Sequence, residues 1–277
     1  MSNATHAEAT AGFPRLFDLR DSNRTSDASI RACMLADLTD TRLIVHSEAD
    51  PVYVEQHRRL GAALHHAQVQ DGIRSVMVAS AVAAEGKTLS ATNLALMLSR
   101  SFTRRVLLVD GDLRKPSVHE VLHLDNGIGL SDFLERPGSR LPTRTLSPSF
   151  SVLTAGHLHA DPVSLLTSDA AAQFLAVTRE QFDWVVVDTP PAVLFPDAEL
   201  FARHLDACVM VVRSATTPSP VAASAVAALG ASRILGVVLN RTETSEIASG
   251  YGYGSYGYYG AGVRPRRYLD WWRSSRA

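Results

Sequence analysis

Lysine is scarce in this chain, so the setting of each one is informative. Of the 27 basic residues 25 are arginine, and the two lysines are Lys87 and Lys115. Lys87 lies in SVMVASAVAAEGKTLSATNLALML, where an apolar run ends at Ser80, a short loop follows, and Gly86-Lys87-Thr88 opens a helical pattern. Phosphate binding needs this order: N–H groups of the loop and of the first helical turn converge on an anion. The lysine then reaches the outer phosphates and the adjacent hydroxyl ligates Mg²⁺. The expected cradle is Ala84, Glu85, Gly86, Lys87, Thr88 and Leu89. The match to GxxxxGK[ST] is incomplete, because Ala81 stands in place of the first glycine.

Carboxylates follow at two further strand-like ends. RVLLVDGDLRKP places Asp110 and Asp112 just past an apolar run, and WVVVDTPP does the same for Asp188. Ligands of open α/β sheets bind at the carboxyl ends of the strands. Three such ends carrying Lys-Thr, Asp-x-Asp and Asp could converge on one Mg–nucleotide, since carboxylate oxygens suit a hard cation. Any one of these aspartates alone would read equally well as a helix cap.

The elements that must position these residues alternate along the chain. Strand-length apolar runs are 75–80, 105–110, 151–154, 184–188, 208–213 and 234–240. Helical stretches cover 51–70, 88–101, 116–122, 170–181, 198–204 and 218–229. Uniformly apolar strands separated by helices indicate a mostly parallel sheet covered on both faces, a doubly wound α/β fold of the P-loop NTPase kind. Three segments are expected: a mobile 1–50 with a short helix near 29–36, a single domain over 51–248, and a flexible tail over 249–277.

The 277 residues carry a net charge of −1 and are 46% hydrophobic. No global basic field points to nucleic acid. Cys33 and Cys208 form neither a metal-ligand spacing nor a disulfide framework, which fits a reducing compartment. The first 21 residues lack an apolar core, so no signal peptide is expected. No apolar run of spanning length occurs. The tail is unusual: GYGYGSYGYYGAG at 250–262 holds Tyr251, Tyr253, Tyr256, Tyr258 and Tyr259, five of the chain's seven tyrosines. After it, residues 261–277 carry five Arg against one Asp and include Trp271 and Trp272. That basic, aromatic stretch could seat on a lipid surface, dock on a partner or pack on the domain.

Taken together, residues 50–260 resemble the bacterial tyrosine kinases, the autokinases of capsule and exopolysaccharide synthesis. Three signatures occur in order: a Walker A loop ending EGKT at 85–88, a Walker A′ segment LLVDGDLRKP at 107–116, and a Walker B segment VVVDTPP at 185–191. Gly129-Leu130-Ser131 with Asp132, LGVVLN at 235–240 and the tyrosine cluster are lesser marks of the same family. The resemblance implies that Lys87 and Thr88 bind phosphate and Mg²⁺, and that Asp112 and Asp188 organise the metal. It implies that Asp110 accepts the tyrosine proton, making Asp110, Lys87 and Asp112 the catalytic set, and that Asn240 and Arg241 approach the adenine. It also implies ATP and Mg²⁺ as cofactors, a tail phosphorylated on its tyrosines, and a separate transmembrane chain-length regulator as activator. The chain would then be cytoplasmic, peripheral at the inner membrane through that partner.

Two departures matter. Ala84 replaces a family glycine, which costs about 1–2 kcal/mol if its φ is positive. In the family's oligomerisation helix, Glu-x-x-Arg-x-x-Arg, Glu55 and Arg58 fit but Gly61 takes the last place; Arg59 is about 200° away around a helix. This weakens the expected homo-oligomer. Two other functions compete. A membrane-associated positioning ATPase would carry a signature lysine early in the loop, where Val82 stands. A pseudokinase scaffold would bind nucleotide without transfer.

Overall fold

The computed structural model describes residues 40–46 and 48–242. The proposed helix near 29–36, Cys33, the tyrosine tract and the basic tail lie outside the described residues. In chain order the elements are α1 (Pro51–Asp71), β1 (Ser75–Ser80), α2 (Lys87–Ser101), β2 (Val106–Asp110), α3 (Val118–Val121) and α4 (Leu130–Glu135). They continue with β3 (Arg144–Ser147), β4 (Phe150–Leu153), α5 (Pro162–Leu166), α6 (Asp169–Gln181), β5 (Trp184–Asp188), α7 (Asp197–His204), β6 (Ala207–Arg213), α8 (Ser219–Leu229) and β7 (Ile234–Asn240).

Seven strands form one sheet in the order β3-β4-β2-β5-β1-β6-β7. Only the β3–β4 pair is antiparallel. The central strands β1, β2 and β5 are buried at every residue. Alternate side chains feed two cores. Met77, Ala79, Leu107, Val109, Val185, Val187 and Met210 join the core under α4 to α8. Val76, Val78, Val106, Leu108, Val186 and Val209 join the one under α1 and α2. A strand buried on both faces has no polar side to display, which is why these runs read as continuous Val, Leu and Met. Cys208 is part of the first core, and burial pushes its thiol up to about 12, so it stays an inert hydrophobe.

The expected strands and helices agree with the structure to within one or two residues. Three short elements escape the periodicity: β3, α4 and α5, at four to six residues each, are too short to show a period. Among the described residues no helix is long and apolar enough to cross a membrane.

Packing begins before α1. Leu43, expected in the mobile segment, is fully buried in the second core. The clamp is Asn93 on α2, itself fully buried. Its Oδ1 accepts from Ile44 N at 2.9 Å, and its Nδ2 donates to Arg42 O at 3.0 Å and reaches Tyr53 Oη at 3.0 Å. Gly61 has an equally specific task. A Cβ there would lie 2.9 Å from Phe102 Cε2 and 3.2 Å from Met97 Cγ. The position where the family motif has its second arginine is therefore buried in the α1–α2 contact, while Arg58 is exposed and pairs with Glu55.

Removing the clamp strands buried peptide groups, each costing about 1–3 kcal/mol. Asn93→Ala is expected to lower unfolding stability by about 2–4 kcal/mol. A urea titration showing an unchanged midpoint would remove Asn93 from this role.

Candidate functional site

β1 runs out at Ser80, and the loop before α2 is held from inside by Glu85, which is 1% exposed. Its Oε2 accepts from Val82 N at 2.8 Å; its Oε1 accepts from Arg213 N at 3.2 Å and from the Thr217 hydroxyl. The Glu85 carbonyl accepts from Asn240 Nδ2 at 2.8 Å. One residue of the loop thus ties it to β6, to the turn before α8 and to the end of β7. Gly86 has φ +94°, and a Cβ there would fall 2.1 Å from Asn240 Nδ2, so only glycine fits. Ala84 does adopt a positive φ, +63°. The loop therefore carries the strain expected for a Cβ in that region, about 1–2 kcal/mol.

The carboxylates meet because β2 and β5 are neighbours in register, Asp110 opposite Asp188. Both are fully buried. Asp188 Oδ2 accepts from the Thr88 hydroxyl at 2.6 Å. That leaves Thr88 Oγ1 as acceptor for the Ser117 hydroxyl at 2.9 Å. Asp188 Oδ1 is buried with no hydrogen-bond partner. Lys87 is nearly enclosed, and its charge acts on both Asp112 and Asp188. Asp112 Oδ1 accepts from Lys115 N at 3.0 Å.

Asp110 has backbone partners on both of its oxygens. Its Oδ2 accepts from Ser117 N and Val118 N, both at 2.9 Å, and its Oδ1 accepts from Asp112 N at 3.3 Å. In this arrangement it pins the 111–117 segment and starts α3. Asp110 is fully buried beneath these contacts.

Burial first, and the Asp188 charge second, push Asp110 up to about 8. Burial likewise pushes Asp188 up to about 6, against the pull of Lys87 and the Thr88 hydrogen bond. Burial also raises Asp112. A divalent cation fits this chemistry. The unpartnered Asp188 Oδ1 and the Thr88 hydroxyl offer hard oxygen ligands, and Mg²⁺ commonly takes only one or two protein carboxylates, the rest being phosphate and water. No group of three or more His, Cys, Asp or Glu side chains placed to hold a metal exists among the described residues.

At the far side of the loop, Asn240 spends its Nδ2 on Glu85 O and its Oδ1 on Arg241 N at 2.9 Å. Arg241 is exposed with φ +57°. Asn240 is therefore a strut of the phosphate loop, whatever else it touches. Sequence reasoning also missed three residues. Ser117 could have been found as the residue after Pro116 at a helix start. Thr217 has no local signal, being 132 positions from Glu85. Arg114, two residues beyond Asp112, forms a two-pronged pair with buried Asp197, at 3.1 Å from Nε and 3.0 Å from Nη2, and lies 4.4 Å from the Phe195 ring centre. It braces the segment after β2 against α7.

The raised carboxylates make the empty fold pH-sensitive. Below about pH 4 these groups are protonated folded or unfolded. Between there and their folded values the unfolded chain has lost protons that the native chain retains, so stability falls as pH rises. Thermal melts of the nucleotide-free protein should show Tm decreasing from pH 5 to pH 8, with a shallower decrease in Asp110→Asn. Equal slopes for the two proteins would mean that Asp110 is ionised throughout.

Comparison with known proteins agrees with this geometry. No family model matches the chain. It is 33% identical over 222 residues to the tyrosine-protein kinase YwqD of Bacillus subtilis, covering 79% of this chain and 91% of that protein. It is 30% identical over 223 residues to the tyrosine-protein kinase wzc of Salmonella typhi, where the match spans only 30% of the longer relative. The crystal structure of the chimerical protein CapA2B2 superposes with a TM-score of 0.68 at 30% identity, over 74% of this chain and 91% of that one. With a P-loop, paired Walker carboxylates and a near full-length relative of this kind, the chain belongs to the bacterial tyrosine-protein kinases.

Proposed function

We propose that this protein is an ATP-dependent protein-tyrosine autokinase that phosphorylates Tyr251, Tyr253, Tyr256, Tyr258 and Tyr259 of its own tail and thereby regulates exopolysaccharide or capsule polymerisation and export. The observation that carries the reading is the Thr88–Asp188 hydrogen bond beside enclosed Lys87, with one Asp188 oxygen left over. ATP supplies the phosphoryl group, and Mg²⁺ would be held by Thr88, Asp188 and Asp112. The cradle is 84–89, with Glu85 fixing the loop from beneath and Asn240 and Arg241 flanking it on the adenine side. Phosphoryl transfer asks mainly for positioning and charge neutralisation, which Lys87 and the loop N–H groups provide. Asp110 is proposed to take the tyrosine proton once the 111–117 segment yields. A tyrosine has a pKa of about 10, so a nearby base helps it attack.

The family resemblance also supports a separate transmembrane activator and a place at the inner face of the cytoplasmic membrane. Val82 speaks against a positioning ATPase. A pseudokinase reading draws its support from Ala84 and Gly61, and the kinase assay below separates it.

Lys87→Met should abolish phosphotyrosine formation with the fold intact. Mixed with a chain truncated after 249, the full-length Lys87→Met chain should become phosphorylated if transfer runs between molecules. No label on it, with wild type active at a concentration-independent rate per molecule, would mean transfer within one chain. No phosphotyrosine in wild type under any Mg-ATP condition would favour the scaffold.

Asp110→Asn should bind Mg-ATP within severalfold of wild type yet lose turnover by roughly 10²–10⁴. Large loss of ATP affinity with normal turnover at saturation would leave Asp110 as the clamp of the 111–117 segment alone.

A further inference from the structure

Two features stand outside the kinase reading. One is the far end of the sheet. β7 is an edge strand, paired only with β6 among the described residues. Its alternate residues Leu235, Val237 and Leu239 are 39, 56 and 61% exposed. The register pairs Val237 with Met210 and Leu239 with Val212, so both point to the face of the sheet that α8 covers. α8 does not shield them: it buries only Ala225 and Leu229. Nor does it discourage a neighbour, since its eleven residues, SPVAASAVAAL, carry no charge. An apolar stripe along an open strand edge is a surface that proteins normally cover.

The other feature is the end of the chain. Beyond the tyrosine tract, Tyr268-Leu269-Asp270-Trp271-Trp272 concentrates large apolar side chains among arginines. The described chain leaves the sheet at this same place, ending at Thr242, two residues past β7. The intervening residues 243–267 are rich in Gly and Ser. A Gly/Ser-rich chain of that length following random-coil statistics would span about 25–30 Å, and a seven-residue strand is about 23 Å long. The local concentration of the tail at β7 is then of millimolar order without any partner.

We infer that residues 268–272 dock on the Leu235–Val237–Leu239 stripe beside α8. The tyrosine tract thereby becomes a loop closed at both ends, by β7 and by the docked tryptophans. The occupant is the chain's own end rather than a second copy or a lipid surface, because the stripe ends where the tail is tethered; the charged residues nearest to it, Arg233 at one end and Arg213 and Arg241 at the other, flank the stripe and leave its middle apolar.

The chain's three tryptophans give a direct readout that needs no nucleotide. Trp184 is fully buried and adds an unquenched background, so the quenching constant of the remaining, accessible emission in acrylamide reports on Trp271 and Trp272. In the full-length protein the quenching constant should be severalfold below that of the free peptide 263–277. Val237→Thr with Leu239→Thr keeps strand-forming residues while removing the apolar stripe, and should restore the peptide value. As a second measurement, amide hydrogen exchange along β7 should quicken in full-length Trp271→Ser/Trp272→Ser. Peptide-like quenching in wild type, or unchanged quenching and exchange in the variants, overturns the inference. Protection that grows with protein concentration would assign the stripe to a second copy, and protection only on anionic vesicles would assign the tail to a membrane; either result also overturns it.

Discussion

Two carboxylates facing each other across neighbouring strands, sealed from water, are the constraint around which the rest is arranged. Asp110 and Asp188 lie in register on β2 and β5, and two negative charges so placed repel strongly in a medium of low polarisability. The surrounding chain is built to compensate: three backbone N–H groups on Asp110, a threonine hydroxyl on Asp188, and a lysine beside them. What remains uncompensated is one oxygen of Asp188 and a raised proton affinity in both groups. The fold thus holds a site with an unspent carboxylate oxygen and a raised proton affinity, a setting in which a divalent cation would supply the compensating positive charge.

That arrangement explains why the sheet was so legible. A parallel strand buried on both faces must be apolar along its interior, and each here ends where polarity resumes: Ser80 before the phosphate loop, and Asp110 and Asp188 in the site. The site residues follow from the same rule. Less legible was everything held by side chain-to-backbone bonds across long separations. Asn93 reads as an ordinary helical residue, yet it fixes the approach of 42–44. Glu85 reads as a loop residue offering a backbone N–H, yet its carboxylate joins elements more than a hundred positions away. Asp110 shows a third limit: spacing located it at the strand end, but only the enclosure by Ser117, Val118 and Asp112 reveals that it restrains the following segment.

The departures from the family pattern also acquire physical content. Gly61 is not simply a missing arginine; its absent side chain lets Phe102 and Met97 close on α1. An arginine there would have to displace the Phe102 ring, so position 61 presents no side chain at the surface. Ala84 keeps the loop's left-handed turn at an energetic cost, and the buried Glu85 next to it supplies the anchoring that offsets that cost.

The strand order has a consequence for how the protein is made. β1, which leads into the phosphate loop, pairs with β5 and β6 and not with β2, the strand that follows it in sequence. From Ser75 to Trp184 a ribosome needs about 5–20 s at 5–20 residues per second. Throughout that interval a strand with an apolar interior, Val76–Ala79, waits without either of its partners, in a topology whose non-local contacts make closure slow. The nucleotide site therefore comes into being late and all at once, when β5 slots between β1 and β2 and brings the second aspartate opposite the first. Until then the nascent chain depends on α1 and α2, already synthesised and adjacent, to keep β1 from finding the wrong neighbour.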